Sequence, residues 1–319
     1  MKQILNLSVV NNFVLVAIVF ILSISMSPYY IDGDQYHYRK VYEGLQGLSL
    51  LDGFVFYTLN LDSKEVVHFF LSWLGSNQGV DKDLLMAFSN SFLAYGTIML
   101  LRKWKVSIFI IALLLLTNFY FYVLYFAAER LKFGFIFLTF SLLYIRYFYI
   151  FSVLSVIAHI QMSIVYLSML FNIILKHITD TIRFKYIKKS FLYILVFLMI
   201  ILPIIFFYLG THFTAKFEHY SGEHNLFELS KIFIFFIFSL WYSKNRKEVI
   251  FLFLPLLMAV YLIGGERVNM IGYFVFLYYA LPVKKGFNIG IIATSVYFLF
   301  ASVGFTINIL EYGNGFYEK

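Results

Sequence analysis

The stretch "IFIIALLLLTNFYFYVLYFAAERLKFGFIFLTF", residues 108–140, decides the fold class of this chain. It belongs to two apolar runs, 106–126 and 131–149, each about 20 residues long, which is the length of a helix that crosses a bilayer. Glu129 and Arg130 stand between the two runs. Because charge is expensive in hydrocarbon, such a pair predicts a position at the membrane rim or a functional site.

The composition of the whole chain extends this interpretation. Of its 319 residues, 61% are hydrophobic and only 13% are charged, which is more apolar material than a soluble core absorbs. The runs lack the alternation of a membrane barrel. Cysteine is absent, so disulfides and thiolate metal sites are excluded. The sequence predicts an all-α polytopic membrane protein, with residues 1–319 forming a single integral membrane domain.

We predict nine full transmembrane helices. The first is expected to be a retained helix, because its run is long for a signal peptide and carries no small-residue cleavage site. The predicted spans are 8–26, 81–101, 106–126, 131–149, 190–209, 226–242, 249–263, 268–282 and 287–307.

Basic clusters between the spans set the orientation by the positive-inside rule. The segment 151–176 has cytoplasmic character at both ends, with Arg146 before it and Lys176 after it. A single pass would invert every later span. We therefore expect a re-entrant hairpin or two short helices here, with "AHIQMS" (158–163) at the tip, so that His159 reaches toward the outer side.

This topology places most acidic residues outside and most basic residues inside. The formal net charge of +8 is then mainly a topology signal, and no nucleic-acid partner is expected. The outer face collects the long segment 27–80, the loop 210–225, and two Glu-Arg corners. Within the first of these, "VVHFFLSWLG" (66–75) is too short to span and is expected to lie in the membrane interface.

The second corner repeats the first, in "YLIGGERVNMIGYF" (261–274), at Glu266 and Arg267. A guanidinium presents a planar fork of donors that matches phosphate oxygens. Two forks at the outer rim would suit a lipid-linked pyrophosphate. The alternative is structural pairing, although adjacent residues on a helix do not face each other. Pairing of one corner with the other stays open.

Further candidates come from the hairpin tip and from the first outer segment. His159 suits a proton acceptor or a structural hydrogen bond. The segment "DGDQYHYRKVY" offers carboxylates, or an ordinary turn, and rings that stack on sugars. No sequence motif for a metal is present. The candidates in this segment are Asp32, Asp34, His37, Tyr38, Arg39 and Tyr42.

These elements, in this order, resemble the EpsG-like, Wzy-type polymerases of bacterial O-antigen and exopolysaccharide. The resemblance rests on "DQYHY", "AAERLKFGF", "SVIAHIQMSIVYL" and "GGERVNMIGYF", and it covers roughly residues 1–310. It implies a membrane glycosyltransferase fold of the GT-C-like class. It also implies a multi-pass protein of the bacterial inner membrane whose active site faces the periplasm.

The activity that the resemblance implies is polymerisation of lipid-linked repeat units. The growing glycan would move from undecaprenyl pyrophosphate onto a new undecaprenyl-pyrophosphate-linked repeat unit, without cofactor, metal or nucleotide sugar. Membrane lipid and a chain-length regulator protein are the other expected partners. An O-antigen ligase and a lipid-linked oligosaccharide flippase are the alternatives.

Roles for single residues follow from this chemistry. Arg267 first, and Arg130 second, are expected to stabilise the departing pyrophosphate. Glu266, Asp34 and His159 are the candidates for a general base. The remaining residues are expected to bind substrate, namely Glu129, Asp32, His37, Tyr38, Arg39 and Tyr42.

Overall fold

The computed structural model describes residues 7–187, 189, 191, 192, 196, 199 and 226–317. Over this part of the chain the secondary structure is helical throughout and contains no strand, which confirms the predicted all-α class. The predicted span 190–209 and the outer loop 210–225 lie almost wholly outside the described residues.

The chain divides into two compact units. The first unit comprises 1–162 and 281–319, and the second comprises 163–280. The helices of the first unit are α1 (Leu7–Met26), α2 (Asp34–Gly44), α3 (Leu50–Leu61), α4 (Val66–Asn77), α5 (Lys82–Lys103), α6 (Ile108–Thr117), α7 (Phe119–Tyr122), α8 (Glu129–Leu143), α9 (Phe148–Ala158) and α14 (Ile289–Tyr312). Those of the second are α10 (Met162–Phe184, which begins at the boundary), α11 (Leu226–Tyr242), α12 (Arg246–Ile263) and α13 (Glu266–Ala280).

Several of these helices have the length and composition of membrane spans. Four qualify as single helices: Val9–Tyr29, Lys82–Lys103, Met162–Phe184 and Val283–Tyr312. The number rises to six if each of two bent helix pairs counts as one span. The multi-pass helical class is therefore supported, whereas the predicted count of nine spans is not confirmed over the described residues.

The predicted span 106–126 is broken at Asn118. The side chain of Asn118 accepts a hydrogen bond from the Tyr120 amide at 3.0 Å and so starts a new helix, bent by 57° from α6. The hydroxyl of Ser302 donates to the Thr117 carbonyl at 2.8 Å, which satisfies a backbone group that the break sets free. A π-helical turn, Val123–Ala127, then leads into α8.

The predicted span 131–149 also ends early, at Leu143. After a 3-10 turn the chain bends by 119°, and α9 returns along α8. The two helices approach closely at Gly134, whose carbonyl accepts from the Ser155 hydroxyl at 2.7 Å. A Cβ added to Gly134 would lie 3.3 Å from the Cβ of His159. His159 therefore lies at the end of α8 where Glu129 begins that helix.

The expected break in "AHIQMS" is present, since α9 ends at Ala158 and α10 begins at Met162. The helix that follows is longer than predicted. It continues to Phe184, through part of the basic cluster that we assigned to a cytoplasmic loop.

The first outer segment, 27–80, is helical rather than open. Its helices α2, α3 and α4 enclose a small core of Val41, Leu45, Tyr57 and Phe69. The segment "VVHFFLSWLG" lies in α4, a helix of 12 residues that is too short to cross a bilayer. Its predicted place in the membrane interface stays a prediction.

Helices α5 and α8 run side by side in the same direction. At one end Lys82 contacts Glu129, and at the other the Lys103 ammonium donates to the carbonyls of Leu142 and Leu143 at 3.1 and 2.8 Å. The second contact satisfies carbonyls that the end of α8 leaves without a helical partner. The starts of both helices therefore lie at one end of the first unit.

This arrangement predicts the sidedness of single-cysteine variants, which are clean probes because the chain contains no cysteine. Gln78→Cys and Gln161→Cys should react with an impermeant thiol reagent from one side of the membrane. Lys103→Cys and Arg146→Cys should react from the opposite side. Labelling of all four from the same side would contradict the arrangement of α5, α8 and α9.

Candidate functional site

A cluster of buried charged groups lies where several helices of the first unit begin. Helices α4, α5 and α8 start at or beside Glu65, Lys82 and Glu129, and α2 contributes Gln35 from its first turn. The N-terminus of a helix carries partial positive charge and free amide donors, so it favours carboxylates. The convergence of these helix starts explains why two glutamates are stable in so apolar a chain.

Glu129 is the most deeply buried of the acidic groups, at 2% exposure. Its Oε1 accepts from the Lys82 ammonium at 2.6 Å and from the Gln35 amide at 2.8 Å, and its Oε2 lies 3.3 Å from His68 Nε2. Lys82 also donates to Gln35 Oε1 at 2.8 Å. One carboxylate thus joins α2, α4, α5 and α8.

His68 connects this carboxylate to Tyr57. The Tyr57 hydroxyl lies 2.9 Å from His68 Nδ1. Burial lowers the pKa of His68 below its ordinary value, although the Glu129 carboxylate opposes that shift. The ring is then neutral at physiological pH, with Nε2–H donating to Glu129 and Nδ1 accepting from Tyr57.

Arg130 points away from Glu129 and has other partners. Its Nη1 lies 3.2 Å from Glu65 Oε2, and its Nε donates to the Tyr38 hydroxyl at 3.1 Å. Different partners are expected for adjacent residues on a helix, which face different directions. The side chain of Arg130 keeps 20% exposure, whereas those of Lys82 and Glu129 keep 7% and 3%.

Glu65 lies between Arg130 and His159. Its Oε1 is hydrogen-bonded to His159 Nδ1, and its Oε2 also accepts from the Ser63 hydroxyl at 2.9 Å. Burial by itself would raise the pKa of Glu65, but the hydrogen bond and charge of His159, with Arg130 and Ser63, lower that pKa to about 2. The carboxylate is therefore ionised and orients the imidazole.

The second nitrogen of His159 faces the edge of the cluster. Nε2 lies 3.1 Å from the side-chain oxygen Oε1 of Gln161, a residue that is partly exposed in the break between α9 and α10. In the neutral tautomer whose Nδ1–H donates to Glu65, and with the Gln161 oxygen displaced, Nε2 presents an electron pair that can accept a proton from a bound hydroxyl.

The ring of Tyr38 lies between Glu129 with its partner Lys82 and Glu65 with its partner Arg130. Its ring lies under both Lys82 and Arg130, with the cations 5.9 and 5.7 Å from the ring centre. Burial raises the pKa of its hydroxyl to about 12, against the effect of Arg130, so the hydroxyl stays protonated. The sequence predicted Tyr38 as a substrate-binding residue, and the structure places it against Arg130.

The other candidates from the first outer segment lie around this cluster rather than in it. Arg39 forms an ion pair with Asp83 at 2.8 Å and donates to the Ser27 carbonyl at 2.7 Å, and the Tyr42 hydroxyl donates to the Val80 carbonyl at 2.8 Å. These contacts fasten α2 to the segments beside it. The exposed candidates on this segment are Asp32, Asp34 and His37.

The second Glu-Arg corner belongs to the second unit. Glu266 begins α13, and its side chain lies outside the described part of the structure. Arg267 is partly exposed, and among the described residues no ion pair is formed by it. The chain turns before α13 at Gly265, whose amide donates to the Glu228 carboxylate, while Asn269 donates to the Glu228 carbonyl at 3.1 Å.

The structure therefore brings together four of the predicted residues, Tyr38, Glu129, Arg130 and His159. Sequence reasoning missed their partners Glu65, Lys82, His68 and Gln35. A signal was present for two of them, because Glu65 and His68 interrupt or border the apolar segment 66–75. Lys82 and Gln35 sit at helix starts, where polar residues are ordinary.

The cluster combines a carboxylate–imidazole pair with a partly exposed guanidinium. The first can remove a proton from a hydroxyl, and the second can hold an anion. Among the described residues, no group of three or more His, Asp or Glu side chains is arranged to hold a metal ion. No family model, curated protein or solved structure matches the chain.

The ion pair of Lys82 and Glu129 gives a test of what holds the cluster together. Lys82→Met should lower the free energy of unfolding by about 3–5 kcal/mol, because it leaves a buried carboxylate without its cation. The double variant Lys82→Met/Glu129→Gln should recover part of that loss. Thermal unfolding of the detergent-purified protein measures both, with the exposed Lys40→Met as control. Equal unfolding temperatures for all variants would contradict the buried pair.

The lowered pKa of Glu65 gives a second test. Because its pKa falls from 4.5 to about 2 on folding, its stabilising effect of about 3 kcal/mol is complete above pH 4.5 and fades toward pH 2. Glu65→Gln should therefore unfold more easily than the native protein at pH 7, and the gap should narrow below pH 4.5. Glu43→Gln, at an exposed position on α2, is the control. A gap that is constant with pH would show that Glu65 is not ionised by its neighbours.

Proposed function

We propose that the protein is a membrane glycosyltransferase that polymerises lipid-linked oligosaccharide repeat units. The growing glycan would leave undecaprenyl pyrophosphate and join a hydroxyl of the next undecaprenyl-pyrophosphate-linked unit. The site would face the periplasm from the bacterial inner membrane. The observation that carries the proposal is the position of Glu65, which contacts His159 on one side and Arg130 on the other.

Transfer of a glycan to a hydroxyl needs a group that accepts the hydroxyl proton. In this proposal the acceptor sugar displaces the Gln161 amide and places its hydroxyl against His159 Nε2. Glu65 holds the ring by Nδ1 and stabilises the imidazolium that forms, as a carboxylate does in other carboxylate–histidine pairs. His159 is favoured over Asp34 because its imidazole is fixed, whereas Asp34 is exposed.

The same transfer needs a group that stabilises the departing pyrophosphate. The acceptor oxygen bonds to the anomeric carbon of the donor glycan, and the bond from that carbon to the pyrophosphate oxygen breaks with its electron pair. The proton of the acceptor hydroxyl stays on His159. Arg130 supports this step. Its Nη1 and Nε bind Glu65 and Tyr38, and among the described residues no hydrogen bond is formed by its Nη2, which can therefore donate to the pyrophosphate.

The surroundings of the cluster agree with substrates that carry polyprenyl chains. The helices of the first unit include three single spans by length and composition, and the cluster lies at one end of them. Charged groups beside apolar helices suit a ligand whose head is anionic and whose tail is hydrocarbon. The resemblance to the EpsG-like, Wzy-type polymerases, read from the sequence, points to the same chemistry.

Arg267 remains a second proposed contact for pyrophosphate. It belongs to the second unit and has no ion pair among the described residues, unlike Arg130. Arg267 is proposed as a pyrophosphate contact in its own right, because a donor and an acceptor each bring a pyrophosphate.

Reconstitution tests the proposal directly. The purified protein in lipid vesicles should convert an undecaprenyl-pyrophosphate oligosaccharide into a ladder of products without a nucleotide sugar. Arg130→Ala and His159→Gln should each lower the rate by roughly 10² to 10³, the usual cost of a lost transition-state contact. Arg130→Lys should fail almost as badly, because one ammonium cannot keep the contacts to Glu65 and Tyr38 and also donate to the pyrophosphate. Arg267→Ala should also abolish the ladder.

The matched control is Arg146→Ala, an exposed arginine beyond the other end of α8. It should retain the native ladder. Movement of the substrate between leaflets without a ladder would replace the proposal with a flippase, and transfer only to a lipid core acceptor would replace it with a ligase. Full activity of Arg130→Lys would contradict the need for a guanidinium that binds Glu65, Tyr38 and the pyrophosphate together.

A further inference from the structure

A third buried cation lies in the first unit, beneath the cluster. The side chain of Lys132 is wholly buried, at 0% exposure, on the turn of α8 that follows Glu129. Its ammonium donates to Asn90 Oδ1 at 2.6 Å and lies 3.4 Å from the Tyr125 carbonyl and 3.8 Å from the Met86 sulfur. It takes part in none of the ion pairs found among the described residues.

The polar groups around Lys132 are hydrogen-bond acceptors that face its ammonium. Asn90 Nδ2 donates to the Ser23 hydroxyl and to the Tyr125 carbonyl, both at 3.0 Å. These two bonds fix the amide so that its oxygen faces Lys132. The π-helical turn at Val123–Ala127 directs the Tyr125 carbonyl toward the same point. Three polar partners thus hold the ammonium, and none of them carries a negative charge.

Such an arrangement is costly unless a charge elsewhere compensates it. A buried ammonium without a carboxylate loses its hydration and gains only dipoles in return. Lys82 is balanced by Glu129, and Arg130 is balanced by Glu65. The Glu129 carboxylate attracts the Lys132 ammonium through space without touching it, but it is already hydrogen-bonded to Lys82, so two buried cations share one carboxylate.

We infer that Lys132 raises the affinity of the protein for the anionic head group of the lipid-linked substrate. It would attract a pyrophosphate held at Arg130 electrostatically, without direct contact. The inference rests on the proposed function and adds a residue that selects for charge without touching the ligand. Lys132 and Arg130 lie two residues apart on α8, and an apolar interior that excludes salt screens the attraction between charges only weakly. A pyrophosphate would supply the negative charge that the protein itself lacks here.

The test measures the affinity of isoprenyl ligands that differ only in charge. Native protein and Lys132→Met are placed in nanodiscs of zwitterionic phosphatidylcholine and titrated by calorimetry with farnesyl diphosphate, farnesyl monophosphate and farnesol. The loss of affinity in Lys132→Met should be about tenfold for the diphosphate, which is about 1.4 kcal/mol, smaller for the monophosphate, and absent for farnesol. Lys103→Met, the same change at the far end of α5, should match the native protein.

The other outcomes overturn the inference. Equal weakening for all three ligands would show that Lys132 has a structural role only. Unchanged affinity for the diphosphate would exclude the electrostatic role and leave the proposed function standing. A native protein that binds farnesyl diphosphate no better than farnesol would remove the proposed function as well.

Two further arms identify the source of the anion. Inorganic pyrophosphate should compete weakly with farnesyl diphosphate, because it lacks the isoprenyl chain. Phosphatidylglycerol in the nanodisc should not compete. If either one prevents farnesyl diphosphate from binding, the ligand is a free anion or a phospholipid head group. The assignment to an isoprenyl pyrophosphate is then wrong.

Discussion

The carboxylate of Glu129 is the constraint on which the first unit depends. It is hydrogen-bonded to Lys82, Gln35 and His68, which belong to three different helices. Glu129 itself is the first residue of a fourth helix. In an apolar interior an ionised carboxylate is tolerated only when each lone pair has a donor. The helices α2, α4, α5 and α8 must therefore meet at this group. Because Arg130 follows directly, the same meeting point fixes where the guanidinium emerges.

This constraint explains which part of the site was readable from the sequence. Glu129, Arg130 and His159 stand out because charge or imidazole within apolar runs is exceptional. Lys82 and Gln35 did not stand out, since polar residues at the start of a helix are ordinary. Their importance depends on which helix starts meet in space, and the pairing of α5 with α8 is a tertiary fact. Glu65 borders the apolar segment 66–75 and so did carry a signal, but its contacts with Arg130 and His159 depend on tertiary structure.

The helical class was also readable, whereas the course of single spans was not. Hydropathy alone treats 106–126 and 131–149 as uniform segments. The first break comes from a local hydrogen bond at Asn118, whose side chain starts a new helix. The second follows Leu143, where α9 turns back and packs onto α8. The return of α9 needs Gly134, because any larger residue would meet Met162 and His159. Such hydrogen bonds and packing contacts cannot be predicted from the apolar content of the sequence.

Glu129 and Glu65 are buried to different depths, and their roles differ accordingly. Glu129, His68 and Lys82 satisfy one another and keep less than a tenth of their surface, so a substrate cannot reach them without disrupting four helices. Glu65 and Arg130 keep 12% and 20% of their side-chain surface, whereas Glu129 and Lys82 keep 3% and 7%. A ligand that enters the cluster therefore meets the guanidinium and the His159 edge first. The ion pair of Glu129 and Lys82 holds the helices in place, whereas the ion pair of Glu65 and Arg130 is accessible to a ligand.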